Sequence, residues 1–122
     1  MATLDWQGHL IAADTGGTSV MFPFDSTIDC AEKFHFVQSY IIAQTNAAID
    51  FGSVSVATVL LIRVSGDFLL SPTFKINGSA TEYTVNSGGT LLIFNGMVTS
   101  LTFSWSAVGG GTLVLEVYGG GA

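Results

Sequence analysis

The side chains able to act as nucleophile, general base or metal ligand are few: two histidines (His9, His35), one cysteine (Cys30) and nine carboxylates. The densest group is Asp29-Cys30-Ala31-Glu32-Lys33-Phe34-His35. A zinc centre takes three or four ligands, usually with paired Cys or His. One thiol, one imidazole and the adjoining carboxylates would supply them only if the segment folded back on itself, so it reads as a polar connection with a buried thiol. A Cys30–His35 nucleophile pair would need hydrogen-bond contact and an oxyanion donor, and no motif signals either. Asp5, Asp14, Asp25, Asp29, Asp50 and Asp67 are scattered, mostly at predicted turns, where Asp commonly caps backbone N–H groups. Paired acids for glycoside hydrolysis would have to converge in a cleft. Calcium-loop spacing, a serine elbow and a dinucleotide fingerprint are all missing from the sequence. Gly16-Gly17-Thr18, Gly88-Gly89-Thr90 and Gly110-Gly111-Thr112 each lead into an apolar run. A phosphate cradle needs a helix N-terminus there instead. No catalytic residue, cofactor or metal is expected.

The elements that would position these residues read as strands. Val54–Val64 is β-branched and apolar on both faces, which suits a central strand covered on both sides. Ser65-Gly66-Asp67 reads as a turn, Phe68-Leu69-Leu70 as a short strand stopped by Pro72, and Asn77-Gly78 and Asn95-Gly96 as hairpin turns. Between them, Phe74, Ile76, Tyr83 and Val85 should point inward. Leu101, Phe103 and Trp105 alternate with Ser and Thr, and Thr112–Tyr118 forms a last strand after Gly109-Gly110-Gly111. About seven strands at this spacing predict an all-β, single-domain antiparallel β-sandwich, jelly-roll-like, over residues 31–122. Residues 1–30 read as an N-terminal arm or attachment segment. In it, Gln7–Ala13 and Thr18–Phe22 look like strands flanking Asp14–Gly17, with Pro23 ending the second. Phe34–Ile42 reads as a long strand, and a helix from Ser26 with Ile28, Ala31, Phe34 and Val37 on one stripe is the alternative.

The chain has 122 residues, of which 48% are hydrophobic and 10% charged, with net charge −6. An average soluble domain is about a quarter charged. Disorder, which needs low hydrophobicity, and nucleic-acid binding, which needs a basic surface, do not fit. The N-terminus lacks the basic and apolar regions of a secretory signal, and no run approaches the ~20 apolar residues of a membrane helix. A soluble protein made in a cytoplasm is the expectation. Residues 76–122 hold only Glu82 and Glu116 as charges. Weakly charged strands associate unless covered, so neighbours in a homo-oligomer or lattice should shield much of the surface. Trp6, Tyr40, Tyr83, Trp105 and Tyr118 are the candidates for a sugar-stacking platform, with Trp105 assigned to the core and Trp6 to an anchor on another chain.

The rhythm Ile76-Asn77-Gly78, Ser87-Gly88-Gly89-Thr90-Leu91-Leu92-Ile93-Phe94-Asn95-Gly96 and Val98-Thr99-Ser100-Leu101-Thr102, after Leu60–Asp67, resembles small β-rich virion structural proteins of tailed bacteriophages. These include capsid decoration (cement) proteins. The resemblance covers about residues 54–118 and carries no catalytic residues. It implies a virion location after assembly in the host cytoplasm, a homo-oligomer such as a trimer, and the major capsid protein or other virion proteins as partners. Neither nucleic acid nor membrane is implied as a partner. The attachment contacts would fall on the N-terminal part, with Leu4, Trp6, Met21, Phe22 and Phe24 as the apolar interface. A tail, head–tail connector or fibre component is one alternative function, and a carbohydrate-binding β-sandwich module another.

Overall fold

A computed structural model describes residues 2–13 and 19–121, with side chains for 30–93 and 96–121. The described residues form ten strands and no helix. None of them forms a helix long and apolar enough to cross a membrane. The strands are β1 (Ala2–Ala13), β2 (Ser19–Cys30), β3 (Glu32–Tyr40), β4 (Gln44–Ala48), β5 (Ala57–Phe68), β6 (Thr73–Ile76), β7 (Tyr83–Thr84), β8 (Thr90–Val98), β9 (Leu101–Trp105) and β10 (Gly111–Gly121). Every ladder is antiparallel. β1 and β2 pair with each other as a two-stranded ribbon.

The other eight strands pair first against last. β3 pairs with β10, β4 with β9, β5 with β8 and β6 with β7. Two further ladders, β10–β5 and β9–β6, wrap this long ribbon on itself. The result is two four-stranded sheets, β3-β10-β5-β8 and β4-β9-β6-β7.

Alternation explains the core. Leu60, Ile62 and Val64 of β5, Leu113, Leu115 and Val117 of β10, Leu101, Phe103 and Trp105 of β9, and Phe74 of β6 are all buried in one cluster shared by both sheets. Each such side chain contributes about 1.5–3 kcal/mol by leaving water. Tyr40 of β3 meets Phe103 of β9 at 4.9 Å, and Phe68 of β5 meets Trp105 edge-on at 6.2 Å. No polar or charged residue is buried among the described side chains. The Trp105 Nε1–H donates to the Leu70 carbonyl at 3.0 Å.

Several local expectations are corrected. The segment after Ser26 is strand, not helix: β2 runs to Cys30 and β3 follows. β2 also continues through Pro23, which opposes His9. A strand in a two-stranded ribbon has one open side, so a proline there need not break a ladder bond. Ser65-Gly66-Asp67 is not a turn; β5 passes through it with Gly66 opposite Leu113. A Cβ on Gly66 would lie 2.2 Å from the Thr112 carbonyl oxygen, so glycine serves a close strand approach. Leu69 and Leu70 are not strand but exposed loop. Asn95-Gly96 lies inside β8, where the register against β5 jumps from Ala57↔Val98 to Val59↔Phe94. The extra β8 residues form an irregularity of the kind glycine marks within strands. Asn77-Gly78 does turn, with φ of 55° and 70°, as a type I′ turn requires. Val85 is buried but Tyr83, on the short edge strand, is exposed. β10 runs three glycines beyond Tyr118.

Candidate functional site

Among the described residues, the groups with chemical potential are dispersed; the side chains of Asp5, His9, Asp14, Asp25 and Asp29 lie outside the described part of the structure. Cys30 is buried at the end of β2. His35 stands on the outer face of β3, stacked on Tyr118 of β10 with ring centroids 4.0 Å apart and planes 10° from parallel. Its Nε2 is 3.8 Å from Glu116 Oε1. The Tyr118 hydroxyl is hydrogen-bonded to Glu116, which raises its pKa above the ordinary tyrosine value. Partial desolvation and the Glu116 charge add to the shift, and Arg63 opposes it. Burial raises that of Tyr40. Asp50 accepts the Gly52 N–H at 2.8 Å, a turn cap, and Glu32 accepts the Ser53 hydroxyl at 3.1 Å. Among the described residues, no three His, Cys, Asp or Glu side chains gather to hold a metal ion.

Among the described side chains, the candidate aromatics do not build a stacking platform. Trp105 is core, Tyr40 packs on Phe103, and the exposed Tyr83 and Tyr118 lie on different sheets. Of the residues expected at an interface, Leu4 and Trp6 lie on β1, and Met21, Phe22 and Phe24 on β2. The register sets Leu4 opposite Ile28, Trp6 opposite Ser26, and Met21, Phe22 and Phe24 opposite Ile11, Leu10 and Gly8. Their side chains lie outside the described part of the structure.

The arrangement with most surface potential is one end of the roll. Tyr40 opposes Leu113, and Phe68 opposes Gly111. Gln44 opposes Trp105, and Thr73 opposes both Ser104 and Thr84. These registers bring the β3–β4, β5–β6, β7–β8 and β9–β10 connections together. None of the four (41–43, 69–72, 85–89 and 106–110) contains a charged residue. Ile41, Ile42, Leu69, Leu70 and Val108 are all exposed there, Ile41 and Leu69 to 72% each. The far end differs in degree: its connections and nearby strand ends carry Glu32, Lys33, Asp50, Lys75 and Glu82, whereas the strand ends beside the four uncharged connections carry the exposed Asp67 of β5.

An open groove of about 690 Å³ indents the uncharged end. Leu69 and Leu70 border it, and Thr73, Thr84, Ser104 and Gln44 give it hydroxyl and amide groups. Among the described residues, no ionisable side chain lines it. A charged group entering this groove would lose water and gain no counter-charge. The groove therefore suits a neutral, partly apolar partner.

The sequence reading assigned Ile41-Ile42 and Leu69-Leu70 to strands and so missed this end. The signal was present: two consecutive aliphatics at a strand end cannot both face one core, because side chains alternate. No family model, curated protein or solved structure matches the chain.

Proposed function

We propose that the chain is a structural protein of a bacteriophage virion, a capsid decoration protein folded as a jelly-roll β-sandwich that attaches as a homo-oligomer. The jelly-roll reading is supported by the strand order. Eight strands pairing first against last, then rolled into two sheets, follow the path expected of that fold, which is used by viral capsid and lectin domains. The virion reading is supported by the sequence resemblance over residues 54–118.

The observation that carries the assembly role is the uncharged loop end with its five exposed aliphatic side chains. Soluble monomers rarely show contiguous apolar patches larger than a few hundred Å². At about 25 cal/mol per Å², a patch of roughly 500 Å² is worth ~12 kcal/mol before costs. Lost freedom on association takes about 4–15 kcal/mol of that. A single contact of this size is therefore weak, and a stable coat would use several at once through an oligomer. The mechanism is mechanical: apolar contact spread over neighbouring shell subunits raises the cost of separating them.

Immunogold labelling of virions from the virus that encodes the chain tests the proposal. Label spread over the whole head is the expected result. Label confined to the tail or the head–tail junction would move the protein to the tail, connector or fibre class. Virions without label would overturn the virion role.

A further inference from the structure

We infer that two copies of the chain join edge to edge through β8, with Thr90–Phe94 of one pairing antiparallel with Thr90–Phe94 of the other about a two-fold axis at Leu92. The inference deepens the homo-oligomer proposed above and rests on that reading; it names the strand through which copies meet.

Among the described residues β8 shares a ladder only with β5, so its other side is an open sheet edge. Proteins blunt such edges with charges, proline, irregular backbone or very short strands. The other described edges carry these devices. β3 holds Glu32, Lys33 and His35. β4 is short and shifts register against β9, with Asn46 at a φ of 46°. β7 spans only Tyr83–Thr84. The ribbon has Asp5 and His9 on β1 and Pro23, Asp25 and Asp29 on β2. On β8 the irregular part lies beyond Phe94. Ahead of it, Thr90-Leu91-Leu92-Ile93-Phe94 keeps one register and has neither charge nor proline.

The backbone pattern selects a second copy as the occupant. The Val64 N–H donates to the Gly89 carbonyl at 3.1 Å. Along an antiparallel strand, residues that bond across the ladder alternate with residues that face away from it. The pairs Ile62↔Leu91 and Leu60↔Ile93 therefore turn the backbone groups of Leu91 and Ile93 toward β5. Thr90, Leu92 and Phe94 turn theirs to the open side. A two-fold axis at Leu92 sets Leu92 against its own equivalent and Thr90 against Phe94 of the other copy. Every outward group then falls at a hydrogen-bonded position, giving about six bonds between copies.

The side chains agree with this pairing. Two identical uncharged stretches strand no charge in the seam. Glu82 is the ionisable side chain in the shallow groove beside Thr90, and it faces Lys75 at 3.9 Å. The axis at Leu92 keeps the two copies of Thr90, and so of Glu82, at opposite ends of the seam. On the outer face Leu92 lies beside Leu61, both partly exposed, and the axis brings Leu92 against its equivalent. The two four-stranded sheets that contain β8 become one continuous sheet across the pair.

The test uses the full-length chain. Light scattering from about 1 μM to 1 mM should show dimers, and Leu92→Lys, which puts a charge on the edge, should weaken them about tenfold or more. Cross-linking checks the register. Leu92→Cys sets two thiols at a hydrogen-bonded pair, where Cα atoms lie about 5.5 Å apart, within the span of a disulfide. Thr90→Cys is the control: its two copies are four residue steps apart along the seam, about 13 Å. Under mild oxidation, non-reducing gels should show covalent dimer forming about tenfold faster from Leu92→Cys than from Thr90→Cys. Cys30 is buried and common to all variants. A wild-type chain that stays monomeric, a Leu92→Lys chain that associates like wild type, or equal cross-linking by the two cysteine variants would each overturn the inference. The cross-linking comparison stands whether or not Leu92→Lys folds. The last two results leave another oligomer contact open, and virion labelling is independent of all three, so failure of this contact and failure of the virion role are distinguishable.

Discussion

Gly66→Ala in strand β5, read against Gly78→Ala in the turn after β6, separates two things a glycine can do. Both residues have positive φ, +111° and +70°. At Gly78 nothing lies within 4 Å of an added methyl. The cost there is backbone strain of about 1–2 kcal/mol, partly offset by about 0.4–1 kcal/mol from stiffening the unfolded chain. A net loss of about 1 kcal/mol follows. At Gly66 the methyl would sit 2.2 Å from the Thr112 oxygen and 3.3 Å from the Val114 nitrogen. The β5 and β10 backbones must move apart there, which disturbs about two ladder hydrogen bonds at about 1 kcal/mol each. Gly66→Ala should therefore lose about 3 kcal/mol. At roughly 4 °C per kcal/mol for a domain of this size, the Tm falls by ~12 °C for Gly66→Ala and ~4 °C for Gly78→Ala. Thermal unfolding by circular dichroism at one fixed protein concentration measures both. Equal losses would mean that residues 65–67 are a surface turn, and that β5 is not pinned against β10 at this point.

Phe103→Ala removes a fully buried ring flanked by Phe74 and Tyr40, and urea unfolding should show a loss of about 3–5 kcal/mol. Asn77→Ala deletes an acceptor for the Thr99 and Ser100 N–H groups and a donor to the Met97 carbonyl. The same measurement should give about 1–3 kcal/mol for it. Lys75→Ala breaks a 3.9 Å surface pair with Glu82 and should change stability by less than about 0.5 kcal/mol. Because the bond to Glu116 favours the protonated Tyr118 hydroxyl, that tyrosine should ionise above the usual range. Its stabilising contribution is then complete below the unfolded-state pKa and disappears as pH rises through the raised folded value. Absorbance titration near 295 nm should show Glu116→Ala shifting this ionisation downward.

Much of the roll was legible because burial on one face imposes a period of two. Leu101, Phe103 and Trp105 show it directly, and all three are core. Asn77-Gly78 was legible because both residues tolerate the positive φ they adopt. The same dipeptide at Asn95-Gly96 misled, since a local turn signal says nothing about a partner strand. β5 holds β8 in register on both sides of it, and the ladder overrides the turn. Ser65-Gly66-Asp67 misled for the same reason, with β10 as the partner. The loop end could not be read from any single segment. Its four uncharged connections are far apart in sequence, and only the antiparallel registers bring them together.

Pairing the earliest strands of the roll with the latest also has a kinetic side. While a ribosome is still making the chain, β3 has no edge to join, and β5 lacks one of its two neighbours until β10 emerges. Within the two four-stranded sheets, the small β6–β7 hairpin alone pairs strands that are consecutive in sequence and so can close quickly. Topologies dominated by such distant partners fold slowly and leave bare strands open to the wrong companions meanwhile. A polypeptide with so few charges has little repulsion to protect it during that wait, so its yield should depend more on how crowded the unfinished chains are than on the stability of the finished molecule.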